Sequence, residues 1–294
     1  MKRITIKKQE LSIEEAFSRC LVSKSAEGLA AKTISTYKSH FRTLSNYFDT
    51  SLNISELNKR MIEDVITSLR NKELSPNTIS SYCRTLRAFL SWARQEGLTT
   101  VNIPPYKQID TPKEAYTDDE LRLLLKRPSK KASFCEYRNW VIENFALNSG
   151  ARASTIRNIK NCDIDFKSNI IIFRHSKNGK VQVMPLSSSM VSILKEYVSI
   201  REGDSSDYLF CDQYGRQLSE GALKQAIAKY NKSRGVQKTS FHLFRHTFAK
   251  KYLMDCMSNI QDTNLLIKVG KTITNPMKFT ITVLISPFFT GSFN

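Results

Sequence analysis

The sequence predicts a mainly α-helical chain with one small antiparallel β-sheet, divided into two domains. Capped segments with apolar residues at helical spacing recur along most of the 294 residues. An aperiodic stretch from Thr99 to Glu114 carries Pro104, Pro105 and Pro112. Two β-branched runs flank Asn178-Gly179, the pair that favours a tight hairpin turn.

Ser12 and Glu15 have capping-box spacing and open a helix with Ile13, Phe17 and Leu21 on one face. A second helix begins near Thr33, with Tyr37, Phe41, Leu44 and Phe48 on its apolar side and Lys38 and Arg42 off it. Met61, Ile62, Val65, Ile66 and Leu69 mark a third. Ser75 followed by Pro76, a cap and a first-turn proline, starts a fourth that runs through Ile79, Tyr82, Leu86, Phe89 and Ala93 toward Gly97. Four amphipathic helices with short connections make a bundle over residues 1–98, followed by a linker over 99–115.

The second domain spans 116–255. Thr117 caps a helix with Glu120 in its first turn, ahead of Leu121, Leu124 and Leu125. Trp140 to Leu147 forms another helix, which Gly150 ends. A short basic helix follows from about Ser154 to Lys160, and then strands from Ile170 to Arg174 and from Val181 to Leu186. Helices from Met190 to Ile200 and from Ser219 to Tyr230 lead to Ser240–Leu253, SFHLFRHTFAKKYL. There Ser240 is placed to cap, Phe244, Phe248 and Tyr252 form an apolar stripe, and His242 and Arg245 sit together on a neighbouring face.

The formal charge is +18 at pH 7, an excess that repels itself unless a polyanion neutralises it. Nucleic acid is the partner this implies, with a membrane surface as the other candidate. Lys38, Arg42, Arg84 and Arg87 flank the second and fourth helices and are candidate phosphate contacts. No long charge-free apolar run occurs and the opening residues lack an apolar signal core, so the expectation is a cytoplasmic protein that does not span a membrane. The six cysteines are scattered without paired spacing or neighbouring histidines, and they read as reduced packing residues with no metal site.

In chain order, LNSGAR ending at Arg152, KNG with Lys177, and HLFRHTFA with His242 and Arg245 resemble the tyrosine recombinase (phage integrase) family, from the helical bundle to about Leu253. YTDDE from Tyr116 fits as well. The resemblance implies an N-terminal four-helix SAM-like core-binding domain and an α+β catalytic domain that close as a clamp on duplex DNA. It also implies strand cleavage and rejoining through a 3′-phosphotyrosyl intermediate, a tetrameric synapse, and neither metal nor other cofactor. Cutting a phosphodiester without metal needs cations on the non-bridging oxygens, and arginine forks supply directional pairs that lysine does not. By resemblance Arg152 and Arg245 form that clamp, Lys177 protonates the leaving 5′-oxygen, and His242 assists proton transfer. His246 supports the site from behind. The hairpin alone leaves Lys177 and Lys180 equal. Arg157 is the rival of Arg152, and Thr155 stands where the family commonly has an acidic residue.

The resemblance also implies a tyrosine nucleophile near the C-terminal side, and here the sequence departs from the family. No tyrosine follows Tyr252 in the 294 residues. Aligned on Gly270 with one residue missing, Lys271 stands where histidine is expected and Phe279 at the tyrosine position. A phenyl ring has no oxygen with which to attack phosphorus. Residues 256–294 are therefore expected to be an aberrant segment, through frameshift or decay, in a DNA-binding recombinase relative that cannot cleave. The alternatives are an active integrase that takes its nucleophile from another subunit, and a non-catalytic DNA-binding remnant or regulator.

Overall fold

The computed structural model describes residues 11–106, 114–175 and 181–258, without the side chains of 256–258. The chain divides into two compact units, Met1–Thr111 and Pro112–Asn294.

The first unit holds α1 (Ile13–Ala26), α2 (Ala31–Leu44), α3 (Lys59–Asn71) and α4 (Pro76–Gln95). The caps of α1 and α4 are those the sequence predicts, while Asn58, which accepts the Met61 N–H at 3.1 Å, caps α3 without having been singled out. The Ser12 hydroxyl accepts the Glu15 N–H at 3.2 Å while the Glu15 carboxylate accepts the Ser12 N–H at 3.1 Å, and Ser75 accepts the Thr78 N–H at 3.2 Å. Helix α2 starts at Ala31 without a side-chain cap, two residues ahead of Thr33. Phe17 stacks on Phe41 at 3.9 Å and meets Phe89 edge-on at 5.3 Å, which fastens α1 to α2 and α4. Val101 and Ile103, in the proline-rich stretch, are buried in this same core.

The second unit orders α5 (Asp118–Leu125), α6 (Phe134–Ser149), α7 (Ala153–Arg157), β1 (Ile164–Asp165), β2 (Ile170–Phe173), β3 (Gln182–Pro185), α8 (Ser188–Arg201), α9 (Glu220–Ser233) and α10 (His242–Ser258). The sheet is antiparallel in the order β1-β2-β3, with Ile171 opposite both Ile164 and Met184. Helix α6 contacts α5, α8, α9 and α10; it starts six residues before the expected Trp140, at a cap where Ser133 accepts the Glu136 N–H at 3.2 Å. Val141, Ile142, Phe145 and even Glu143 are fully buried, so the helix is enclosed on all sides and shows no single apolar stripe.

Helix α10 packs against α6, and its Phe244 lies in the same buried core as Val141, Ile142 and Phe145. It begins at His242. The Ser240 carbonyl accepts the Leu243 N–H at 3.0 Å, so Ser240 supports the turn before the helix through its backbone. Among the described residues no helix is long and apolar enough to cross a membrane.

Candidate phosphate-binding site

Helix α6 ends in a left-handed turn at Gly150, with φ +57°. A Cβ there would collide with the Phe248 ring of α10, so glycine is required by the dihedral and by the packing together. That turn brings Arg152 to the N-cap of α7. It also aims the Gly150 carbonyl at α10, where it accepts a hydrogen bond from Arg245 Nη1 at 2.6 Å. The backbone that presents one arginine thus anchors the other.

Burial pushes the Arg245 pKa down, and the Arg152 charge adds to the effect, which places the two cations within each other's field. Both side chains are half-buried. Two guanidiniums, among the groups hardest to deprotonate, within each other's field on a partly desolvated surface raise a positive potential that an anion would neutralise. A tetrahedral oxyanion with two oxygens free suits that pair.

His242, the first residue of α10, is exposed, and its ring lies edge-to-face with His246 at 5.1 Å. His246 is half-buried behind it. Arg157 is committed elsewhere: its Nε donates to the Leu218 carbonyl at 2.5 Å, and its own carbonyl accepts Gln217 Nε2 at 3.2 Å. Thr155 is buried and carries no charge with which to hold Arg152. Tyr252 is half-buried and stacks on Phe248 at 6.0 Å. Lys177, Lys180, Lys271 and Phe279 lie outside the described residues. In the first unit Lys38, Arg42, Arg84 and Arg87 are all exposed.

Sequence reasoning missed what holds α10 in place. The Tyr116 N–H donates to Thr247 Oγ1 at 3.0 Å, and the Tyr116 ring packs on Phe244 at 4.7 Å. Asn231 Nδ2 donates to the Tyr116 hydroxyl at 2.9 Å and to the Lys238 carbonyl at 2.7 Å. Lys238 Nζ in turn reaches the Ala115 carbonyl at 3.1 Å and Glu120 at 3.0 Å. The available signal was a tyrosine directly ahead of a helix cap, and its partner lies more than a hundred residues away.

The second unit thus ties Arg152 and Arg245, two cations within each other's field, to one turn. Residues 114–285 match the phage integrase family and residues 15–109 the phage integrase SAM-like domain. The chain belongs to the phage integrase family. It is 26% identical over 248 residues to tyrosine recombinase XerC of Thermodesulfovibrio yellowstonii, covering 79% of this chain and 80% of that one. Tyrosine recombinase XerA of Thermococcus onnurineus is 27% identical over 231 residues, with 77% of each covered. Among solved structures, a lambda integrase dimer bound to a COC' core site matches with a TM-score of 0.68 at 16% identity, over 82% of this chain and 90% of that one. The Tn1549 transposon integrase in complex with transposon right end DNA matches at 0.69 and 18% identity, over 83% and 87%. These two likenesses carry the fold.

Proposed function

We propose that this chain binds double-stranded DNA and holds one backbone phosphate between Arg152 and Arg245, and that by itself it forms no covalent bond to that strand. The observation that carries the reading is the Gly150 turn, which delivers Arg152 and fastens Arg245 with one carbonyl. In a cleaving relative those forks hold the non-bridging oxygens as charge shifts in the transition state. Here they bind and orient the phosphate. His242, exposed at the start of the helix that carries Arg245, is assigned a hydrogen bond or a proton to a phosphate oxygen, and Lys177 is assigned the leaving oxygen. Without a phenol at position 279, nothing in this sequence fills the nucleophile's place. The net charge of +18 supports binding dominated by phosphates, and the exposed Lys38, Arg42, Arg84 and Arg87 would extend it along the duplex. Assembly into higher oligomers on DNA is part of this proposal, because the solved relatives include a lambda integrase tetramer bound to a Holliday junction.

Titrating a labelled duplex with the full chain across a salt series tests binding. The logarithm of affinity should fall linearly with the logarithm of salt, each neutralised phosphate contributing about 0.9 to the slope. Arg152→Ala and Arg245→Ala should each weaken binding, and the double variant should lose less than the sum, because the two side chains share one ligand. Failure of the unaltered chain to bind duplex at low salt would overturn the reading.

A further inference from the structure

Just after β2, and directly before the stretch that contains Lys177, an exposed arginine is tied to a buried acid. Arg174 has 56% of its side chain exposed and Asp163 has 3%. Asp163 Oδ2 accepts the Lys160 N–H at 2.8 Å, closing the short 3-10 turn Asn161–Asp163. An asparagine could do that without burying a charge. The other oxygen, Oδ1, accepts Arg174 Nε at 2.7 Å.

This contact is side-on. A guanidinium and a carboxylate that stabilise each other most fully meet fork to fork, through two parallel hydrogen bonds. Here one edge of the guanidinium is engaged, and Nη1 and Nη2 have no partner among the described residues. Burying a carboxylate is costly unless the charge is used. What this charge achieves is to fix the direction of a long, otherwise mobile side chain on the surface of a strongly cationic protein.

We propose that Arg174 is a further backbone-phosphate contact of the second unit and that Asp163 is its positioning residue, holding Nη1 and Nη2 outward for the two free oxygens of one DNA phosphate. The inference rests on the DNA-binding reading and adds to it a contact separate from the Arg152 and Arg245 pair.

Anisotropy titrations of the full chain against a mixed-sequence duplex over a salt series test both residues. Arg174→Ala should weaken binding by about tenfold and lower the salt slope by about 0.9. Arg174→Lys should recover the slope but only part of the affinity, since a point charge cannot be braced side-on. Asp163→Asn gives the sharper result, because removing a negative charge should tighten DNA binding if only the net field matters. Positioning requires the reverse: weaker binding with an unchanged salt slope, and no additional loss when Asp163→Asn is combined with Arg174→Ala. Thermal melting of the Asp163→Asn protein checks that it is folded at the assay temperature; if it is not, the Ala and Lys variants of the exposed Arg174 decide the matter. Unchanged affinity and slope in Arg174→Ala, or tighter binding in folded Asp163→Asn, would overturn the proposal. An unaltered chain that binds no duplex would remove the DNA reading and this inference together. Indifference of Arg174→Ala while Arg152→Ala and Arg245→Ala weaken binding would remove this inference alone.

Discussion

Replacing Glu143 by leucine should make the second unit more stable, and increasingly so as pH rises. Glu143 lies in the middle of α6 with 0% exposure, and among the described residues neither carboxyl oxygen has a hydrogen-bond partner. Burial drives its pKa well above the ordinary 4.5, only partly opposed by the Arg234 charge. Below 4.5 the acid is protonated both folded and unfolded, and its pH-dependent penalty is absent. As pH climbs past that value the unfolded chain releases the proton and the folded chain keeps it, so stability falls until the raised folded pKa is reached. The steepest slope one such group can impose is about 1.4 kcal/mol per pH unit. A buried polar group without a partner costs about 1–3 kcal/mol, which is the gain expected for Glu143→Leu near neutral pH. For a unit of this size each kcal/mol is about 2–4 °C in Tm. Calorimetry at about pH 5 and about pH 8 should show a larger gain at the higher pH. Glu143→Gln should lose the same pH dependence while keeping the polar group. A Glu143→Leu protein that is less stable than the parent, or a Glu143→Gln protein whose stability relative to the parent does not change with pH, would refute the reasoning.

Two further substitutions probe how the elements are fixed. Gly150→Ala forces a side chain into a left-handed turn and against the Phe248 ring; it should cost at least about 1–2 kcal/mol and also weaken duplex binding, because the turn sets both arginines. Ser12→Ala breaks the capping box of α1 and should cost about 0.5–2 kcal/mol in urea unfolding of the first unit, with duplex affinity per folded molecule unchanged.

Much of the fold was legible because local chemistry and tertiary structure agree. Ser12 with Glu15, Ser75 with Pro76, Thr117 with Glu120, and Gly150 all act where their residue types predict. The first half of α6 was not legible, because a helix enclosed by its neighbours has no polar face to give it a period. Strand β1, two residues long, is too short for alternation to register. Ser240 had the composition of a cap, yet the helix starts at His242, since Phe241 packs with Phe244 at 5.8 Å and the turn forms around that contact. In the candidate site, the family resemblance pointed to Arg152 and Arg245 but said nothing of the Gly150 carbonyl that accepts from Arg245, because a backbone acceptor leaves no mark in a sequence. Tyr116 was missed for a related reason: its partners on α9 and α10 are non-local, and no periodicity encodes them.

Trapping on a nicked suicide duplex tests most directly the proposal of a phosphate pocket without a phenol. The full chain is incubated with the duplex, half of each reaction is run on a native gel and half on a denaturing gel. The expected result is a shifted complex on the native gel, diminished by Arg152→Ala, and free DNA alone on the denaturing gel. A denaturant-resistant protein–DNA band, with the attached residue located by mass spectrometry at Tyr252 or any other side chain, would contradict it.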